Sequence, residues 1–125
     1  MEYVGEAMWQ IEPTTQWRKD ARFYEKKRPN ELAAVMRNLE RYLKQLNLAP
    51  NSRAVSAGYL HPEPGGILAI DQKGGGGNLQ ETRLYTYADD VKRVVYLITI
   101  GNKDSQAADI ALSKDFVETL RPKTE

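Results

Sequence analysis

Few residue types in this 125-residue chain can do chemistry, and what is missing narrows the field. There is no cysteine, which excludes a disulfide framework, thiolate zinc sites and cysteine nucleophiles. The one histidine, His61, excludes a multi-histidine metal site. It stands in a proline-rich stretch, His61-Pro-Glu-Pro-Gly-Gly66, whose composition is that of a turn. It could act as a general base where that turn folds over a sheet, and is otherwise a plain surface residue. The run Lys73-Gly-Gly-Gly-Gly-Asn78 is rich in glycine, but no Gly-Lys-Ser/Thr follows and no helical pattern starts there, so it reads as a flexible connection, not a phosphate loop. The paired carboxylates Asp89-Asp90 fall in a turn and read as solvated.

Charge adds a second candidate. The net charge is only +1, yet residues 13–53 hold ten Lys/Arg against four Asp/Glu. That half can attract phosphates or an acidic partner, although a solvated helix face explains the same charges. The length suits one domain, and 41% hydrophobic with 28% charged residues is ordinary for a globular protein. No stretch approaches the ~20 apolar residues of a membrane helix. Met1–Met8 carries Glu2 and Glu6 and no apolar core, unlike a secretory signal, so a cytoplasmic protein is expected.

The elements that must position these residues follow from periodicity. Met8–Glu12 alternates like a short strand. Pro13 ends it, and Thr14-Thr15 offers an N-cap to a helix over 15–28 carrying Trp17, Ala21 and Tyr24. Pro29 stops that helix and suits the first turn of the next. Leu32, Val35, Met36, Leu39, Tyr42, Leu43 and Leu46 then fall on one face of a second helix, making a helical hairpin. Trp9, Trp17, Tyr24 and Tyr42 read as core. Beyond residue 52 the period becomes strand-like, with strands expected at Arg53–Leu60, Ile67–Gln72, Glu81–Ala88 and Arg93–Ile100. The last is apolar on both faces, which suggests a central position. A short helix carrying Phe116, Val117 and Leu120 is expected from about Ser113. The sum is an α+β fold: a strand and two-helix hairpin packed on a twisted antiparallel sheet, with a short C-terminal helix.

The segment RLYTYADDVKRVVYLITIGNKDS (Arg83–Ser105) resembles the RelE/ParE superfamily of toxins from bacterial type II toxin–antitoxin pairs, including its HigB branch. The shared features are Arg83 opening a strand, Leu84-Tyr85, the acidic hairpin Asp89-Asp90, the apolar Val94–Ile100, then Gly101 and Lys103. The stretch FYEKKRPNEL (Phe23–Leu32) is also similar to the toxin pattern. The order of elements extends the resemblance over 8–120, leaving an N-terminal extension at 1–7 and a tail at 121–125. It implies an antitoxin partner in a hetero-oligomer, and no cofactor, metal or membrane. For RelE- and HigB-like members it implies endoribonuclease cleavage of messenger RNA on the ribosome, which inhibits translation and arrests growth. For ParE-like members it implies inhibition of DNA gyrase without enzymatic activity, and an inactive relative would only bind a partner protein.

Metal-free RNA cleavage needs the 2′-hydroxyl held in line, one proton taken, another given, and charge on the phosphoryl oxygens stabilised. Arginine suits the last task, because its guanidinium forks to two oxygens and stays charged. Arg83 matches the family arginine that contacts phosphate, with pairing to Glu81 or Asp89 as its structural alternative. It shares a strand face with Tyr85 and Tyr87, and Tyr85 is placed with the RNA-binding residues. Lys103 matches a second basic family position, for charge stabilisation or leaving-group protonation. Lys73 lies where RNA-cleaving members carry lysines, and His61 is the candidate base. Lys19, Arg22, Lys26, Lys27 and Arg28 on the first helix are expected to engage RNA phosphates. The chain departs from RelE-like members in having no tyrosine between Asn102 and Asp109, and from HigB-like members in having one histidine.

Overall fold

The computed structural model describes residues 8–121; the extension expected at 1–7 and the tail beyond 121 lie outside it. The chain runs β1 (Gln10–Pro13), α1 (Thr15–Lys27), α2 (Pro29–Leu46), β2 (Leu60–Pro62), β3 (Ile67–Asp71), β4 (Thr82–Asp89), β5 (Val94–Asn102) and α3 (Gln106–Leu120). The strands make one sheet in the order β1-β5-β4-β3-β2.

Strand β5 dictates the layers. Its residues 95–101 are buried without a break, so both faces need a cover. The α1–α2 hairpin supplies one: Tyr24, Val35, Leu39, Tyr42 and Leu46 pack with Leu84, Val95, Leu97 and Ile100. Helix α3 supplies the other, where Val117 meets Ile67, Ala69, Tyr85, Tyr96 and Ile98. This is the expected α+β architecture, with the apolar strand central.

Three details differ from the sequence expectation, and a fourth is one on which the sequence is silent. First, β2 to β5 pair antiparallel, but β1 lies parallel to β5, with Gln10 opposite Val94 and Pro13 opposite Leu97. The sheet is mixed, and everything between the two strands serves as the crossover that parallel pairing demands. Second, Arg53–Leu60 is not a strand. Asn51 caps a single 3-10 turn at Ser52–Ala54 by accepting from the Ala54 N–H, and Asp90 accepts from the Ser52 N–H and hydroxyl, so only Leu60 onward is free to pair. Third, α3 starts at Gln106, not near Ser113. Its first turns are alanine-rich, so helix propensity forms them without a strong apolar stripe to announce them. Fourth, the register between β4 and β5 steps by one residue: Tyr85 faces Thr99 but Thr86 faces Leu97. The extra residue resets the alternation, so that Val95, Leu97 and then Ile100 all face the helical hairpin.

Thr14 locks α1 to the sheet. Its Oγ1 accepts from the Trp17 N–H (3.1 Å) and donates to the Ile98 carbonyl (2.9 Å), while its own N–H donates to Leu97 O (3.0 Å). Beyond the end of β1, Asp20 accepts from the Thr99 hydroxyl and the Ile100 N–H, so a helix covers the rest of that edge. Thr14→Ala removes the cap and the bond to Ile98 together and should cost about 1–2 kcal/mol. Urea unfolding checks this, and an unchanged midpoint would contradict it.

Candidate functional site

Strand alternation carries His61, Asp71 and Arg83 to the α3 side of the sheet, at one end of it. The registers set His61 opposite Ala69, Asp71 opposite Arg83, and Arg83 opposite Gly101. His61 lies in β2 and not in the expected turn, which occupies the residues just after it. Its Nε2 is 2.6 Å from Asp71 Oδ2, and Asp71 is only 4% exposed. With Asp71 ionised, Nε2–H is the donor, and Nδ1 is the ring nitrogen left to accept a proton.

Lys73 completes this group. Its backbone N–H donates to Asp71 Oδ1 (2.8 Å). Its ammonium lies 3.6 Å from Asp71 Oδ2 and donates to Gly58 O (3.0 Å), while the side chain stays exposed. The structure therefore brings His61 and Lys73 together through Asp71, a residue the sequence reading did not single out. One signal was available for Asp71: it is the acidic end of an otherwise apolar strand.

Arg83 is held between two carboxylates, Glu63 Oε2 and Glu81 Oε1, each 3.4 Å from a different terminal nitrogen. Glu81 is one of the two partners considered from sequence. Asp89 takes no part in either contact, and Glu63, which follows β2, replaces it. The Arg83 side chain is 18% exposed, and its Nε is buried without a hydrogen-bond partner. Any phosphate reaching this guanidinium must compete with Glu63 and Glu81.

Tyr85 is fully buried beneath α3, with no partner for its hydroxyl. Burial first, and the Asp109 carboxylate second, push its pKa up to about 12. A ring so placed cannot stack on a base, which corrects its placement among the RNA-binding residues. Lys103 is exposed in the turn after β5. Lys19, Arg22, Lys26, Lys27 and Arg28 are exposed on α1 or just past it, but α1 covers the face opposite α3, so they do not converge on His61 and Arg83. Lys27 and Arg28 instead line a groove of about 590 Å³ between the start of α2 and the glycine loop.

Asp109 also went unnoticed in the sequence. It accepts from Ser105 Oγ (2.6 Å) and lies over Gly101, where an added Cβ would collide with both Asp109 and Ser105. Gly101 thus serves close packing of α3 on β5. Burial raises the Asp109 pKa; the Ser105 hydrogen bond opposes the shift, and Asp20 adds to it. Among the described residues, no three His, Cys, Asp or Glu side chains gather as a metal site.

Tyr85→Phe removes a buried, unpartnered hydroxyl and should stabilise the fold by about 1 kcal/mol in urea unfolding. Tyr85 ionises more readily unfolded than folded, so its contribution is complete below about pH 10 and is lost between there and about 12. The variant should lose less stability than wild type across that window. Asp109→Asn should stabilise at neutral pH, because a raised carboxylate pKa means stability held at acid pH and lost as pH climbs through the folded value. Thermal melts should show the advantage vanish in acid; an advantage equal at every pH would contradict the linkage.

No protein-family model matches the chain, and no curated protein matches it in sequence. A solved structure does match: a doubly arginine-to-alanine-substituted mutant of the E. coli toxin RelE in the free state. The similarity covers 92% of this chain and 100% of that one, with a TM-score of 0.54 and 17% identity. At that identity the likeness speaks for architecture, and the chain has the RelE-like fold.

Proposed function

We propose that this protein is a RelE-type toxin that cleaves messenger RNA on the ribosome without a metal, in the cytoplasm, under control of an antitoxin partner. The observation that carries the reading is the His61–Asp71 pair at 2.6 Å, with Lys73 on the same carboxylate and Arg83 on the neighbouring strand. Asp71 orients the imidazole by accepting from Nε2–H; Nδ1 takes the proton of the 2′-hydroxyl. The 2′-oxygen bonds to phosphorus, the bond to the 5′-oxygen breaks, and Lys73 or Lys103 protonates the leaving oxygen. Arg83 stabilises the phosphoryl oxygens once phosphate displaces a carboxylate, a contribution of about 3–4 kcal/mol for a well-placed donor. Exposed Lys19, Arg22, Lys26, Lys27 and Arg28 offer a separate phosphate-binding surface on the opposite face.

A second reading, a non-catalytic toxin that acts through protein contact as gyrase inhibitors do, is favoured by one observation: Glu63 and Glu81 already hold Arg83. Primer extension on a message in a purified translation system separates the two. The wild type should give new 5′ ends that require ribosomes, reduced at least a hundredfold in His61→Ala and Arg83→Ala. Uncut message with folded protein would reject the nuclease reading, and a DNA supercoiling assay would then test the second.

A further inference from the structure

We infer that Asn38, on the helical hairpin, is the positioning residue that sets the geometry of the His61–Asp71–Lys73 group. The inference rests on the catalytic reading of that group and adds a residue from the far side of the sheet. Asn38 is 2% exposed on α2, where the apolar stripe would accept a leucine. Its Nδ2 donates to two carbonyls, Asp71 O and Lys73 O, each at 2.9 Å. Both protons of one carboxamide thereby clamp the backbone on either side of Gln72, where β3 gives way to the glycine loop. The turn cannot open without leaving a buried amide unpaired.

The clamp is itself braced. Asn38 Oδ1 accepts from Arg41 Nη1 at 3.1 Å, which fixes which end of the carboxamide faces the carbonyls. The Arg41 guanidinium carbon stands 4.6 Å over the Tyr59 ring. Tyr59 O in turn accepts from the Asp71 N–H at 3.0 Å, and the adjacent Gly58 O accepts from the Lys73 ammonium. Arg41, Asn38, Tyr59, Gly58 and the Asp71–Lys73 backbone form one closed circuit. The Asp71 carboxylate hangs from that backbone, and His61 and Lys73 both depend on it. A shift of the turn by about 1 Å is enough to cost a reaction roughly a hundredfold, because aligned geometry carries so much of the barrier.

The test compares wild type, Asn38→Leu, His61→Ala and, as a control for general loss of core packing, Val35→Ala, each confirmed folded by circular dichroism. Two quantities are read: kcat and KM for ribosome-dependent RNA cleavage, and the ¹⁵N shift of His61 Nε2, which reports its bond to Asp71. Asn38→Leu should lower kcat at least tenfold with KM held within about twofold, and should move the His61 resonance toward that of a free imidazole. Val35→Ala should change neither. An Asn38→Leu protein with wild-type kcat and an unmoved resonance overturns the inference, as does a Val35→Ala loss of equal size. If His61→Ala cuts as well as wild type, or the wild type cuts nothing, the catalytic reading fails instead. The His61 resonance in Asn38→Leu then still decides whether Asn38 sets the geometry. Should Asn38→Leu fail to fold, Asn38→Ala is read the same way, since it loses both donors without adding bulk or charge.

Discussion

A strand with no polar face is the constraint on which this molecule rests. Seven consecutive buried residues in β5 leave nothing for water, so apolar layers are needed on both sides. The hairpin and α3 meet that need from opposite directions, and the two core clusters they form do not mix. A buried threonine inside the sheet, such as Thr86, spends its hydroxyl on a neighbouring carbonyl, and the charged side chains are left to the ends and edges. That is why His61, Asp71, Lys73 and Arg83 collect where β3 ends and β4 begins.

Burial there has an electrostatic consequence. Glu63 and Glu81 hold the largely buried Arg83 guanidinium, where water screens less, whereas the Lys73 ammonium meets Asp71 from an exposed position. The pairing keeps Arg83 ordered at the expense of its availability. The cations of α1 are the reverse, exposed at the surface. The chain thus separates exposed positive charge on α1 from positive charge held by carboxylates at the end of the sheet.

The sequence makes some of this plain and hides the rest. The helical hairpin is legible because seven apolar positions of α2 repeat at helical spacing and Pro29 punctuates it. Thr14 as a cap and β5 as a central strand are legible for similar reasons. The direction of β1 is not, because four residues alternate identically whether parallel or antiparallel. The stretch before β2 misleads, since Val55 and Ala57 pack on the core without pairing to a neighbour. At the site, Arg83, Lys73 and His61 are visible as residue types. The bond between His61 and Asp71 is not, because it spans ten residues and depends on strand register. Asn38 is hidden for a different reason: a polar residue in an apolar helix stripe does not say which carbonyls it faces.

The parallel pairing of β1 also bears on how the chain comes to fold. Thr14 and Ile98, which bond to one another, stand 84 residues apart. Contacts so distant in the chain close late and slow folding, since most of the loop must be ordered first. During synthesis the first strand emerges long before its partner exists. The sheet acquires β1 at its edge only after β5 has been made. A protein arranged this way cannot complete its sheet until β5, the last of its described strands in chain order, has been made.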